Sequence, residues 1–276
     1  MPTRVRYQQW TRQPPEAHPL DRSSALAASV GVYAPYALRD VRGRVSPIAS
    51  SGVSPTTYGS GVGARFDGSA NARLDFGSYE TVGTGNGTWS TLVRFDSLTP
   101  SYTALFSWIA SGATDYVQLL VTSSGKLAVY VKSSAAATSY DGTGAYTLQV
   151  GRTYRLSLVL PSSGPVIAYV DGREDNRTAS TTLNHAAGLG GNVFVGHDTG
   201  TSGRNLSGVV NDTVFFRRAL SPAEVWQLAS GPAWQLFTPR RLLVPVAADG
   251  GIPTLSAATV FAITANSAQP RVTVTF

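Results

Sequence analysis

From Gly61 to about Arg217 the chain is a series of short, alternating apolar segments, interrupted every few residues by Gly, Asp and Ser. Alternation with period two puts successive side chains on opposite faces of a strand, and closely spaced turn residues fold such strands back on one another. Ten segments read as strands: Ala64–Phe66, Arg73–Phe76, Trp89–Phe95, Thr103–Ile109, Tyr116–Thr122, Leu127–Lys132, Thr153–Leu160, Val166–Val170, Asn192–Gly196 and Gly208–Arg217. Along Thr153–Leu160, the side chains of Tyr154, Leu156, Leu158 and Leu160 share one face and mark a buried layer. Ser123-Ser124-Gly125 joins two of the strands. Asp171-Gly172 carries the signature of a type I′ hairpin, whose central residues both need positive φ. One helix is expected. Ser221 stands three residues before Glu224 as a capping box, Pro222 takes the first helical position, and Gly231-Pro232 ends it. Val225, Trp226, Leu228 and Ala229 form its apolar face. Ten strands against one helix define an all-β, antiparallel sandwich.

The flanks differ in texture. Residues 1–50 carry seven Arg against Glu16, Asp21 and Asp40, together with six Pro and little periodicity. Read blandly, this is a disordered leader; read sharply, it is a basic arm that orders on a partner, with Arg4, Arg6, Trp10 and Arg12 as its contacts. Residues 51–235 form the sandwich. Residues 236–276 form a linker and tail that carry Arg240 and Arg241 and end in Pro270–Phe276. There Val272, Val274 and Phe276 fall on one face and Thr273 and Thr275 on the other, beginning at Arg271. Ala258–Ala262 reads as a further strand. Two strands alone are marginal in water, so this tail calls for a sheet to join, in this chain or in a neighbour.

Bulk properties exclude several classes. There are no cysteines among the 276 residues, so disulfides, thiolate metal sites and Cys nucleophiles are absent, and a chain of this length needs no covalent staple. No apolar h-region follows Arg4 and Arg6, which weighs against a cleaved secretory signal. No apolar run approaches the roughly 20 residues of a membrane-spanning helix. The chain reads as soluble, without membrane insertion. Its net charge of +6 comes from 22 basic residues, of which 20 are Arg. Arg suits planar ion pairs at interfaces. No Lys/Arg run exceeds two residues, which argues against a nucleic-acid partner.

The stretch Gly61–Gly231 resembles the laminin-G-like, concanavalin A-like lectin/glucanase jelly roll. Four pieces carry the likeness in the family's order. They are Phe66-Asp67-Gly68-Ser69 with Leu74-Asp75-Phe76, then Gly87–Phe95, then Ala168-Tyr169-Val170-Asp171-Gly172-Arg173, and finally Leu206–Phe215 continuing to Leu220-Ser221-Pro222-Ala223-Glu224. The resemblance implies a jelly-roll sandwich and leaves function open, because this fold hosts lectins, hydrolases and structural modules. The flanking pieces Trp10–Pro14, Trp234–Arg241 and Pro270–Phe276 resemble segments of tailed-bacteriophage virion proteins. That likeness implies a capsid decoration or tail component on the particle exterior, partnered by other virion proteins and by copies of itself.

Glycoside hydrolysis needs two carboxyl groups flanking one bond. Laminarinase-type relatives place theirs on one strand as Glu-x-Asp-x-x-Glu. Here the four Glu are Glu16, Glu80, Glu174 and Glu224, and none alternates with another acid on a strand. No Gly-x-Ser-x-Gly elbow accompanies the three His, and no His pair has zinc spacing. His197-Asp198 reads as a turn. Many laminin-G-like domains hold Ca²⁺ at a loop rim, and Asp115, Asp141 and Asp198 in Gly-rich loops are candidate oxygen ligands; no other cofactor is implied. Trp108, Tyr116 and Tyr140 are candidate glycan contacts, as an aromatic platform would require. The sequence therefore points first to a non-catalytic virion structural protein assembled through its arms. A carbohydrate-binding adhesin contacting host glycans is the alternative, and a glycan hydrolase comes third.

Overall fold

Period-two alternation fills the space between two antiparallel sheets with apolar side chains. The computed structural model describes residues 24–34, 47–58, 61–78, 87–98, 102–109, 116–133, 136–140, 144–161, 164–178, 192–198 and 203–230. All of them fall in one compact unit, Trp10–Thr238. In chain order they form α1 (Ala25–Ala28), β1 (Val30–Ala34), β2 (Ile48–Ala49), β3 (Val53–Tyr58), β4 (Gly61–Asp67) and β5 (Leu74–Ser78). There follow β6 (Gly87–Ser97), β7 (Tyr102–Ile109), β8 (Tyr116–Thr122), β9 (Leu127–Ser133), β10 (Ala136–Tyr140) and β11 (Thr153–Leu160). The last are β12 (Ile167–Val170), β13 (Arg173–Arg177), β14 (Asn192–Val195), β15 (Ser207–Phe216) and α2 (Pro222–Ser230).

The first sheet runs β13-β12-β11-β6-β15-β4-β3, and the second β10-β9-β8-β7-β14-β5-β2. In the first sheet β15 lies along β6. Its other side is shared, with Ser207–Val210 pairing with β4 and the stretch from Thr213 pairing with β1. Inward side chains of both sheets build one core, including Trp89, Phe95, Leu156, Leu158, Phe106, Trp108, Leu119, Val129 and Val193. An aromatic chain runs through it. Trp89 stacks on Phe106 at 5.0 Å, Phe106 meets Phe215 at 6.0 Å, and Phe215 meets Phe76 edge-on at 5.3 Å. Such offset and edge contacts suit the ring quadrupoles.

A second apolar cluster covers the outside of the first sheet. Leu26, Ala27 and Val30 close over it from the N-terminal side and Val225 and Leu228 from α2, against Val159, Tyr169, Val214 and Phe216. Residues 24–34 therefore belong to the sandwich, although the sequence groups them with the basic arm. Ser24 caps α1 through Ala27 N at 3.4 Å, and β1 supplies its ladder partners. The reason is tertiary, since β1 is defined by pairing with β15 and not by its own pattern. Arg4, Arg6, Trp10, Arg12, Arg240, Arg241, Arg271, Val272, Val274 and Phe276 lie outside the described residues, as does Ala258–Ala262. Among the described residues no helix is long and apolar enough to cross a membrane.

A buried ion pair crosses the first sheet. Arg155 on β11 reaches over β6 to the Asp212 carboxylate, and its Nη1 donates to the Asp212 carbonyl at 3.1 Å. Asp212 has φ +52° and sits in a bulge where β15 loses register with β6 between Asn211 and Val214. Thr91 ties down the same bulge from the core side, bonding Asn211 O at 3.0 Å and Thr213 Oγ1 at 2.8 Å. Breaking one partner of a buried pair leaves an uncompensated charge, so the bulge is fixed.

The type I′ hairpin is formed as expected, with Asp171 at φ +48° and Gly172 at φ +80°. A Cβ on Gly172 would lie 2.9 Å from both Trp226 Cα and Ala229 Cβ, so only glycine lets α2 seat on this turn. The capping box is also formed. Ser221 N donates to Glu224 Oε2 at 2.9 Å, and Glu224 N to Ser221 Oγ at 3.4 Å. Arg218 Nη1 adds a bond to Glu224 Oε2 at 2.8 Å. The Arg218 hydrogen bond is the main cause that lowers the Glu224 pKa to about 2. Because the folded value lies below the ordinary one, this stabilisation is complete above the usual carboxylate range and is lost as pH falls through about 2. Glu224→Gln keeps the capping geometry and removes the charge. We expect it to cost about 0.5–1 kcal/mol at pH 7 in urea unfolding, with the gap to wild type closing toward pH 2.

Candidate functional site

In β8 and β9, Val117, Leu119, Val121, Leu127, Val129 and Val131 point into the core. Their alternates therefore face outward on the second sheet, namely Tyr116, Gln118 and Leu120 on β8 and Ala128 and Tyr130 on β9. Leu120 and Ala128 join Ala104 of β7 in a small buried patch, against which Tyr102 and Tyr130 pack. On this apolar floor stands a polar group. Gln118 Nε2 donates to Asp198 Oδ1 at 2.7 Å, and Arg204 Nη1 donates to Asp198 Oδ2 at 3.0 Å. Arg204 lies over the Tyr102 ring at 5.0 Å, and Tyr116 stacks with Tyr130 at 4.9 Å. Asp198 and Gln118 are almost fully buried, at 2% and 3% exposure, while Tyr102, Tyr116 and Tyr130 keep part of their surface in solvent. The outer face thus carries partly exposed aromatic rings and the partly exposed Arg204 guanidinium over a buried amide and carboxylate.

Burial is the largest cause that pushes the Tyr116 hydroxyl well above the ordinary phenol range. The hydrogen bond to Tyr130 and the Asp198 charge act in the same direction, and Arg204 opposes them. The phenol therefore stays neutral and keeps its proton to donate.

A bulge in β7 positions the loop that carries Asp198 and Arg204. Pairing of β7 with β8 shifts between Ala104 and Phe106, so Leu105 and Phe106 both enter the core. The backbone groups released there bind the loop ends. Ala104 N donates to Arg204 O at 2.9 Å, and Gly196 N donates to Leu105 O at 3.0 Å. Gly196 has φ +85°, and a Cβ there would come within 2.3 Å of the Phe66 ring. Further along, His197 Nδ1 donates to Asn205 Oδ1 at 3.1 Å, and Leu206 N to Gly196 O at 3.0 Å.

Of the residues singled out in the sequence, Tyr116 is on this face. Trp108 is not: it is 1% exposed between the sheets, level with Val117 and Val193, and offers no surface to a glycan. Tyr140 ends β10 beside Val129, and its side chain is outside the described residues. Asp115 and Asp141 are also outside them. Asp198 does not fit a calcium ligand, because its two oxygens receive Gln118 and the Arg204 guanidinium. Among the described residues no three His, Asp or Glu side chains come together as a metal group. Gln118, Tyr102, Tyr130 and Arg204 were not singled out. Gln118 had a readable signal, as an amide within the apolar run Tyr116–Thr122, where a polar side chain needs a partner once covered.

Residues 67–226, more than half of the chain, match a laminin-G family model described as the concanavalin A-like lectin/glucanases superfamily, and the protein belongs to that family. Domain 4 of AbnA, a GH43 extracellular arabinanase from Geobacillus stearothermophilus solved in complex with arabinotriose, superposes with a TM-score of 0.61 at 16% identity. The match covers 73% of this chain and 98% of that domain. Trypanosoma rangeli sialidase matches with a TM-score of 0.57 at 15% identity, over 73% of this chain and 32% of the sialidase, about a third of its length. The binding domain of Paraclostridial Mosquitocidal Protein 1 matches with a TM-score of 0.58 at 12% identity, over 74% and 52% of the two chains. At these identities the likeness is one of fold. No curated protein sequence matches this chain.

Replacing Arg204 by Met removes the cation beside a buried carboxylate, and we expect a loss of about 2 kcal/mol in denaturant unfolding. In the double variant D198N/R204M the buried charge is gone as well, so stability should return to within about 1 kcal/mol of wild type. A double variant no more stable than R204M would show that the loss does not come from leaving the Asp198 charge unpaired.

Proposed function

We propose that this protein is a non-catalytic glycan-recognition component of a bacteriophage particle, with its sandwich as the recognising body and its ends as the means of assembly. The observation that carries the glycan reading is the grouping of Tyr102, Tyr116 and Tyr130 around Gln118, Asp198 and Arg204 on one sheet face. Ring faces accept the C–H side of a sugar, and the partly exposed Arg204 guanidinium, held in place by the buried Asp198 and lying over Tyr102, addresses its hydroxyls without reorganising. Tyr brings contact area at a small cost in side-chain entropy. The arabinanase domain solved with arabinotriose shares this fold, which supports the choice of ligand class.

A non-catalytic reading is supported by how the acids are used. Asp198 is held by Arg204, Glu174 by Arg177, and Glu224 by Arg218 and Ser221. Asp75 Oδ1 accepts the Gly77 amide at 2.7 Å. A glycosidase would need one carboxyl to give a proton and another to attack or activate water across the same bond. The particle role is supported by the flanking sequences Trp10–Pro14, Trp234–Arg241 and Pro270–Phe276, and it places the protein on the virion exterior among other virion proteins and copies of itself.

A glycan array that includes host lipopolysaccharide tests the recognition reading. Binding is expected in the presence of a calcium chelator, since Asp198 is committed to Arg204. Tyr116→Ala should weaken that binding about tenfold or more, equivalent to about 1.4 kcal/mol, while leaving far-UV circular dichroism unchanged. Silence of the wild-type protein across the array, or turnover of a polysaccharide, would overturn it.

A further inference from the structure

The four ends of the two sheets differ in how they are protected against adding another strand. Exposed edges are ordinarily blunted by Pro, by charge, by bulges or by shortness, because unpaired backbone groups invite pairing. At one end of the first sheet β3 carries Pro55, and the nearby edge strand β1 breaks register between Val30 and Val32. At the other end β13 reads Arg-Glu-Asp-Asn-Arg. In the second sheet β2 is two residues long. β10, Ala136-Ala137-Thr138-Ser139-Tyr140, ends that sheet with no Pro, no charge and no register shift.

The direction of its free hydrogen-bonding groups follows from the hairpin. Two residues separate Ser133 from Ala136, which are ladder partners, so that closing pair exchanges both of its bonds. By alternation Thr138 and Tyr140 also address β9, opposite Val131 and Val129. The N–H and C=O groups of Ala137 and Ser139 are then left on the open side, where no described strand pairs with them.

We propose that this edge receives the C-terminal segment Arg271–Phe276 of a second copy of the chain, which adds to the second sheet as a strand. The assignment rests on the assembly half of the function proposed above. The segment alternates over Val272, Thr273, Val274, Thr275 and Phe276, with three apolar residues on one side and two threonines on the other. An added strand with that pattern continues a sheet that is apolar inside and polar outside. Its reach extends to a neighbour. Forty residues, 231–270, lie between α2 and the segment, about 130 Å when extended. A domain of this size is roughly 40 Å across, so about a dozen residues would suffice to reach an edge of its own sandwich.

Complementation tests this. Ser139→Pro removes one of the edge N–H groups at a position where an edge strand tolerates Pro, so the sandwich should keep its circular dichroism and glycan binding. Ala137→Pro is the second variant of the same kind. Sedimentation should show the wild-type oligomer falling to a single chain both in Ser139→Pro and in a protein lacking residues 252–276. Mixing those two proteins, one with only a tail and the other with only an edge, should restore a one-to-one complex. If deletion dissociates the oligomer and the Pro variants do not, the assembly reading stands and the assignment to β10 falls. If neither change lowers the mass, both fall. If both lower the mass but mixing restores nothing, insertion between copies is overturned.

Discussion

The outer face on which Tyr116, Gln118 and Tyr130 meet exists because the inner face is already filled. Trp89, Phe106, Phe215 and Phe76 interlock between the sheets, and every strand that supplies one of them has its register fixed by that contact. A slip of one residue would exchange Val117, Leu119 and Val121 for Tyr116, Gln118 and Leu120, moving an amide and a phenol into the core and three aliphatic chains into water. Since the side-chain period of a strand is two, no intermediate register exists. The placing of these side chains on the outer face is thus a consequence of core packing.

The first sheet handles its polar residues differently. Ser90, Thr91, Ser157, Arg155, Asp212 and Thr213 are all buried there, and each is bonded to another strand. Arg155 and Asp212 bridge across β6, and Thr91 holds the bulged Asn211–Thr213 from the opposite side. Polar contacts of this kind add little net stability over apolar packing, but they exclude alternative registers, because any shift leaves a buried group unpaired. The first sheet is pinned by its ion pair and its outside is covered by α1 and α2, whereas on the outside of the second sheet Tyr102, Tyr116 and Tyr130 keep part of their surface exposed among the described residues.

Local signals in the sequence carried the parts of this structure that are locally determined. Asp171-Gly172 and Ser221-Pro222-Ala223-Glu224 specify a turn and a helix start by chemistry within four residues, and both are present as read. Ten strands with clear alternation are present too. The five strands not read from the sequence are each defined by their neighbours. Val53–Tyr58 contains Pro55, Arg173–Arg177 is mostly charged, Ala136–Tyr140 is small and polar, Ile48–Ala49 is two residues long, and Val30–Ala34 takes its conformation from β15. Four of these five form the ends of the two sheets and, among the described residues, β1 pairs with β15 alone, so pairing on one side and intrinsic propensity are both weak guides.

Trp108 shows why the site itself was harder to read. Counting by twos from Tyr102 and Ala104, both on the outer face, puts Trp108 outside with them. The bulge at Ala104–Phe106 inserts one residue, reverses the parity of the rest of β7 and sends Trp108 into the core. The same irregularity directs Ala104 N toward Arg204 O and Leu105 O toward Gly196 N, and so anchors both ends of the loop that carries Asp198 and Arg204. One inserted residue therefore removes the most prominent aromatic from the surface and brings in the ion pair that takes its place. Neither effect follows from residue types along β7. Both follow from where its hydrogen bonds go, which only the pairing with β8 and β14 decides.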